Sequence, residues 1–348
     1  MKRVILYIIL GILLVGGYFA FNIYQKVFTP NVNSDLPNNG YVFIPTNSSF
    51  EEVMEQFKEQ GIVKNLSSFE WTAKQMSYAK NPMRAGRYKI EPNWSNRTLV
   101  SHLRGGVQAP VRMAIHNKWA IEDVAGLLAS QLEADSLDFV KVFLDEDFLA
   151  EFDLKKETAM TAFIPDTYDF YWNTTPKKVF SKMISYRDKF WNEERLAKAK
   201  KLGLTKEEVY TMASIVEKET NKNDEKDRVA GVYYNRYRKG MRLEADPTAK
   251  FASGNYKLSR ILYSHLEIDS PYNTYIYAGL PPGPIYMSSQ SSIEKTLNLE
   301  HHDYIYFCAK PGGTGYHAFA KSYRQHLNNA AKYHAYSRLQ RQKKRNNK

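Results

Sequence analysis

A chain of 348 residues is long enough for one membrane segment plus two or three modest domains. Its 43% hydrophobic and 25% charged residues are ordinary globular composition, and the single cysteine, Cys308, excludes an intramolecular disulfide. The formal net charge is +12, half of it carried by a C-terminal run of Arg338, Arg341, Lys343, Lys344, Arg345 and Lys348. Nucleic-acid binding is one reading of such a tail, but it conflicts with the export signal at the other end of the chain. A solvated, disordered end that aids solubility fits better, as does contact with anionic lipid headgroups or an anionic wall polymer. No Cys/His spacing resembles a zinc site, and the adjacent side chains of His301-His302-Asp303 point apart, so neither metal nor cofactor is expected.

In chain order, Met1-Lys2-Arg3 precedes Val4 to Tyr24, a stretch without charge. About 21 residues suffice to cross a hydrocarbon core of roughly 30 Å as a helix. Lys2 and Arg3 favour a cytoplasmic N-terminus. A cleaved signal peptide is the alternative, but its apolar region is usually roughly 7–15 residues and ends in a small-residue cleavage site. The expected organisation is an anchor at 1–24, a Pro/Asn/Gly-rich linker at 25–40, a small α+β module at 41–118, a larger mixed α/β domain at 119–335 and the basic tail at 336–348. Within the module, strands are expected at Tyr41–Pro45, Gly86–Ile90 and Val111–Ile115, with helices at Ser49–Gln60, Ser67–Lys80 and Ser95–Arg104. Ala120–Asp153 reads as helix-rich, Phe163–Trp172 as an aromatic loop-strand and Pro176–Leu202 as one long charged helix. Cys308 lies in an apolar strand and is expected to be buried and inert.

The segment after Gly203 carries chemistry. Thr205-x-x-Glu208 reads as a capping box, and Val209, Met212, Ala213, Ile215 and Val216 recur at helical spacing. Glu219 then falls at the margin of the apolar face, where lost hydration should raise its pKa, as a general acid near neutral pH requires. Glu217 points away from that face. For an arbitrary Glu-Lys-Glu triplet the ordinary reading is that both are solvated helix-end charges. A second helix is expected at Glu225–Lys239. Gly240–Pro284 is dense in Pro, Gly, Asn and Tyr, with rigid turns expected at Asp246-Pro247-Thr248 and Leu280–Pro284. Rigid loops that hold amides and aromatics suit a saccharide groove, or are simply structural. The 25 tyrosines suit sugar or peptide recognition, or half-buried packing.

Ala213–Thr220, Val232–Leu243 with its Asn235-Arg236 pair, Asp246-Pro247-Thr248, Pro271-Tyr272-Asn273-Thr274-Tyr275, Gly279–Ile285 and Gly315–Phe319 follow one another in this order. Together they resemble the signature of the YceG-like (MltG) endolytic murein transglycosylases. Phe163–Tyr168 is similar to the family's "PDTY" element and Ala85–Tyr88 to its LysM-like region. The resemblance runs from the anchor to about residue 330. Tyr237, Ala245, Ala249-Lys250-Phe251 and Ala320 depart from the family pattern and bear on sugar or stem-peptide preference more than on chemistry.

The resemblance implies an α+β architecture with a LysM-like subdomain and a catalytic groove, and it makes Glu219 the catalytic acid. The implied reaction cleaves the MurNAc-β-1,4-GlcNAc bond without water and leaves a 1,6-anhydro ring, acting on nascent glycan strands beside the synthases. Asn235, Arg236, Asp246, Thr248, Tyr272, Asn273 and Thr274 would line the groove, with Glu217 in support. Arg236 could instead pair with Glu217 or Asp246. Asp246 could cap its own turn or act as a second carboxylate, and His317 is expected to be packed or hydrogen-bonded. A muramidase, which needs a second carboxylate roughly 5–5.5 Å or roughly 6.5–9.5 Å away, and an inactive glycan-binding scaffold are the competing readings.

Overall fold

The computed structural model describes residues 1–346. It opens with helix α1 (Lys2–Phe28), which has no buried residue and is the one helix among the described residues long and apolar enough to cross a membrane. At about 1.5 Å per residue it reaches roughly 40 Å. The helix runs past the expected end at Tyr24.

The chain divides into two compact units, Met1–Arg112 with Gln131–Ala134 and Asp169–Thr174, and the remaining residues from Met113 onward. In the first unit, β1 (Tyr41–Ile44) and β2 (Gly86–Lys89) pair antiparallel, Tyr41 opposite Lys89. Around them lie α2 (Phe50–Glu59), α3 (Leu66–Gln75) and α4 (Asn96–Gly105). Each helix starts where a polar side chain caps it: Ser49 in a full box with Glu52, Asn65, and Ser95. Their apolar faces close a core of Val42, Ile44, Val53, Phe57, Phe69, Tyr88, Leu99 and Leu103. At about 1.5–3 kcal/mol for each large side chain buried, this core supplies the main driving force for the unit.

The second unit begins in β3 (Val111–Ile115), which pairs with β4 (Asp166–Phe170). Short helices α5 (Ile121–Ala129), α6 (Ser136–Phe143) and α7 (Glu146–Ala150) and a 3-10 segment at Lys156–Ala162 bridge the two strands. The expected single helix over 176–202 is two, α8 (Pro176–Phe190) and α9 (Glu193–Leu202). Asn192 breaks it, its side chain capping α9 at the Arg195 amide. The central helix is α10 (Lys206–Glu219), in which every residue from Val209 to Val216 is buried. Packed on it are α11 (Lys226–Arg238), α12 (Asp246–Ala252) and α14 (Gln290–Leu297), and α13 (Tyr263–Leu266) packs on α12.

The presumed turn at Asp246-Pro247-Thr248 is the first turn of α12, with proline where its missing N–H costs nothing. Buried hydroxyls tie the 279–288 loop to α10: the Ile285 amide donates to Ser214 Oγ at 3.0 Å, and Ser288 Oγ donates to the Tyr210 carbonyl at 3.1 Å. Gly283 passes so close to the 3-10 segment that a Cβ there would lie 1.8 Å from the Glu157 carbonyl oxygen.

Strands β5 (Tyr306–Ala309) and β6 (His317–Ala320) pair antiparallel and are covered by α15 (Tyr323–Asn346). The tail is therefore helical, not disordered, through Asn346. Its Ala, Leu, Gln, Lys and Arg are strong helix formers, with Arg338, Arg341, Lys343 and Arg345 exposed along it; Lys348 lies outside the described residues. Cys308 is half-buried, not sealed in a core.

Candidate active site

The capping box starts α10: Thr205 Oγ1 accepts from the Glu208 amide at 3.1 Å, and Glu208 Oε2 accepts from the Thr205 amide at 2.8 Å. The helix stops at Glu219 because Thr220 turns extended and its hydroxyl accepts from the Lys222 amide. Two residues apart on a helix, Glu217 and Glu219 project to different surroundings.

Glu217 accepts from Lys226 Nζ at 3.1 Å, from Ser289 Oγ at 2.5 Å and from Ser292 Oγ. Burial pushes its pKa up, but the two serine hydroxyls and the Lys226 charge outweigh this and hold the carboxyl below its ordinary value. It is an ionised structural anchor between α10, α11 and α14.

Glu219 has a different neighbourhood. Its Oε2 accepts from the Tyr233 hydroxyl at 2.8 Å. Loss of hydration raises its pKa to about 7, against the lowering effects of Tyr233 and His317 and with a further upward push from the Asp246 charge. Two glutamates on one helix end are thus driven apart in acidity, which is how carboxyl groups are sorted into acid and anion.

Glu219 faces a cavity of about 350 Å³. Tyr233 and Arg236 of α11, Leu243, Glu244, Asp246, Tyr275, strand β5, His317 and the start of α15 line it. Asp246 accepts from the Tyr275 hydroxyl at 2.6 Å; no side chain caps the first turn of α12, so the expected capping role for Asp246 is absent. His317 is held by Glu225, whose carboxylate takes both its backbone amide and its Nδ1 at 2.8 Å.

The residues expected to line a groove divide. Asp246 and Arg236 reach this cavity, but the Arg236 guanidinium is mostly consumed by the carbonyls of Ile305, Arg242 and Leu243. It pairs with Glu244 at 2.9 Å, and with neither Glu217 nor Asp246. Asn235 turns away to bond the carbonyls of His302 and Tyr304. Thr248, Asn273 and Thr274 are at most 1% exposed. Thr248 and Thr274 bond each other at 2.8 Å, and Asn273 bonds the carbonyls of Leu266 and Ile268. They shape the loop from behind and do not form its surface. Tyr272 packs on Phe251 at 4.7 Å, outside the cavity lining. Glu244 was not singled out from the sequence, and Tyr233 and Tyr275, though they stand within the Val232–Leu243 and Pro271–Tyr275 motifs, were given no site role. Tyr233 lies on the face of α11 toward α10, yet a tyrosine in an amphipathic helix reads as core.

An α+β unit whose central helix ends in a carboxyl that holds its proton to near neutral pH has the make-up of an acid–base enzyme. The chain belongs to the YceG-like family, whose model matches residues 42–332. The endolytic murein transglycosylase of Bacillus subtilis (strain 168) is 29% identical over 338 residues, covering 92% of this chain and 91% of that one. The enzyme of the same description from Streptococcus pneumoniae serotype 2 (strain D39 / NCTC 7466) is 28% identical over 335 residues, covering 87% of this chain and 60% of that longer protein. A crystal structure of a YceG-like protein from Listeria monocytogenes matches with a TM-score of 0.56 at 30% identity, over 83% of this chain and 97% of that one.

Proposed function

We propose that this chain is a membrane-anchored murein transglycosylase that cuts within glycan strands, with Glu219 as its acid and then its base. The observation that carries the reading is the Glu219 carboxyl, its pKa raised to about 7 at a cavity that also holds Asp246. The relatives' shared description as endolytic murein transglycosylases supports the substrate class.

In this reading Glu219 gives its proton to the glycosidic oxygen between MurNAc and GlcNAc, and the C1–O bond breaks. Positive charge develops at C1 and the ring oxygen, and Asp246 and the new Glu219 carboxylate face it. Glu219 then takes the proton of the muramyl C6 hydroxyl as O6 closes on C1, which yields a 1,6-anhydro end and regenerates the acid. No water enters, and the steps as written use no cofactor or metal. Tyr233 holds the carboxyl in place through both transfers.

Residues 41–118 serve as a LysM-like module and 119–335 as the catalytic domain. With Lys2 and Arg3 inside and α1 crossing the plasma (inner) membrane once, the catalytic domain works outside the cytoplasm on nascent strands beside peptidoglycan synthases. Glu219→Gln keeps the shape and removes the proton. It is expected to lower strand cleavage about 100-fold or more while strand binding persists; unchanged cleavage would remove Glu219 from the chemistry and favour a scaffold.

A further inference from the structure

A second cavity of about 850 Å³ shares Glu219 and Asp246 with the first. Lys218, Lys250, Arg260 and Arg341 line it, together with Trp119. Lys218 precedes Glu219 on α10, and its ammonium lies 4.8 Å from the Trp119 ring centre and 4.3 Å from that of Tyr286. Lys250 lies 5.3 Å from Trp119 and donates to the Leu258 carbonyl at 2.7 Å. Trp119 in turn stacks flat on Tyr256 at 5.0 Å. Among the described residues none of these four cations has an ion-pair partner.

Of the two acids in the cavity, Asp246 already takes the Tyr275 hydroxyl and Glu219 holds its proton to about pH 7. Burial, and then repulsion from Lys250, hold the Lys218 pKa below its ordinary value. Two ammonium groups kept on aromatic rings around Trp119, neither of them ion-paired, form a site that an incoming anion stabilises.

We infer that this cavity receives the carboxylates of the peptide stem carried by the muramyl residue under attack. The inference rests on the murein reading above. The stem hangs from O3 of the same sugar ring whose C1 is cut, so a ring with its glycosidic oxygen at Glu219 carries the stem carboxylates toward Lys218 and Lys250. The aromatic rings offer a flat wall for the stem's aliphatic carbons. A phosphate-bearing wall polymer shares the anion chemistry and is separated by experiment.

The test measures binding to Glu219→Gln protein by calorimetry. Three ligands are compared: strands with stems and no phosphate polymer, the same strands stripped of stems, and stripped strands bearing phosphate polymer. Stem-bearing strands are expected to bind about 25-fold more tightly than stripped ones. Lys218→Met or Lys250→Met, which keep the aliphatic chain on the rings, should each lose about five-fold on stem-bearing strands and nothing on stripped ones. Equal affinity with and without stems overturns the inference, as do variants that weaken both ligands alike, tightening by phosphate polymer alone, or no strand binding at all. Cleavage of stripped strands by the unaltered protein tests the underlying reading separately. Stem-dependent binding without any cleavage would end the enzymatic reading and leave the subsite standing.

Discussion

Replacing Tyr233 with phenylalanine removes one hydroxyl, the donor 2.8 Å from Glu219 Oε2. The ring keeps its edge-on contact with Phe307 at 5.8 Å, so packing changes little. A hydrogen bond to a charged acceptor contributes about 1.5–3 kcal/mol, and one pKa unit corresponds to about 1.4 kcal/mol. The hydroxyl favours the ionised carboxylate, so its loss should raise the Glu219 pKa from about 7 by roughly one to two units. If the protonated acid drives cleavage, the alkaline limb of kcat/KM against pH follows it upward, to roughly pH 8–9. The assay is release of soluble fragments from glycan strands at saturating buffer capacity across pH 5–10, beside a thermal melt that checks the fold. A limb that stays in place or moves down would refute the assignment of Tyr233 as the donor that tunes Glu219.

Further outcomes follow from the same geometry. Glu219 has a folded pKa of about 7 against an ordinary 4.5, so its stabilising contribution is full below pH 4.5 and lost as pH rises through 7. That is on the order of 3 kcal/mol, and at about 2–4 °C per kcal/mol the Tm of the unaltered protein should fall several degrees relative to Glu219→Gln between pH 5 and 8; parallel melting curves would contradict the buried-acid account. Glu217→Ala strands the buried Lys226 and two serines and should cost about 3 kcal/mol in denaturant unfolding, with the pH profile of residual activity unmoved. Gly283→Ala sets a methyl group against the Glu157 carbonyl and should destabilise by about 1–3 kcal/mol in the same measurement. Removal of residues 1–24 should release the protein from membranes with its fold intact. Lys26 and Phe28, which meet Asn96 and Arg97, are retained in that variant, and continued membrane association would argue against α1 as the anchor.

The helix that presents Glu219 was legible because three independent signals agreed: a capping box, an apolar stripe at helical spacing and two carboxylates at different phases. The same reasoning could not find Tyr233, because its value comes from α11 folding back on α10, a contact 14 residues away. Asn235, Thr248, Asn273 and Thr274 were misplaced for the opposite reason. Buried amides and hydroxyls that tie down a loop are chemically the same residues that grip a sugar, and only their partners tell them apart. Gly240–Pro284 hid α12 because seven residues are too few to reveal a helical period. The break at Trp191-Asn192 was readable in principle, since Asn followed by two glutamates is a start signal, but the surrounding charge pattern continued across it.

End-group analysis of purified glycan strands after digestion tests the central claim most directly. Mass spectrometry should find new muramyl ends lighter by one water, the 1,6-anhydro form, with the unaltered protein and none with Glu219→Gln. New ends that are reducing sugars would point to hydrolysis with a second carboxylate, and anhydro ends produced equally by Glu219→Gln would show that the proton comes from elsewhere.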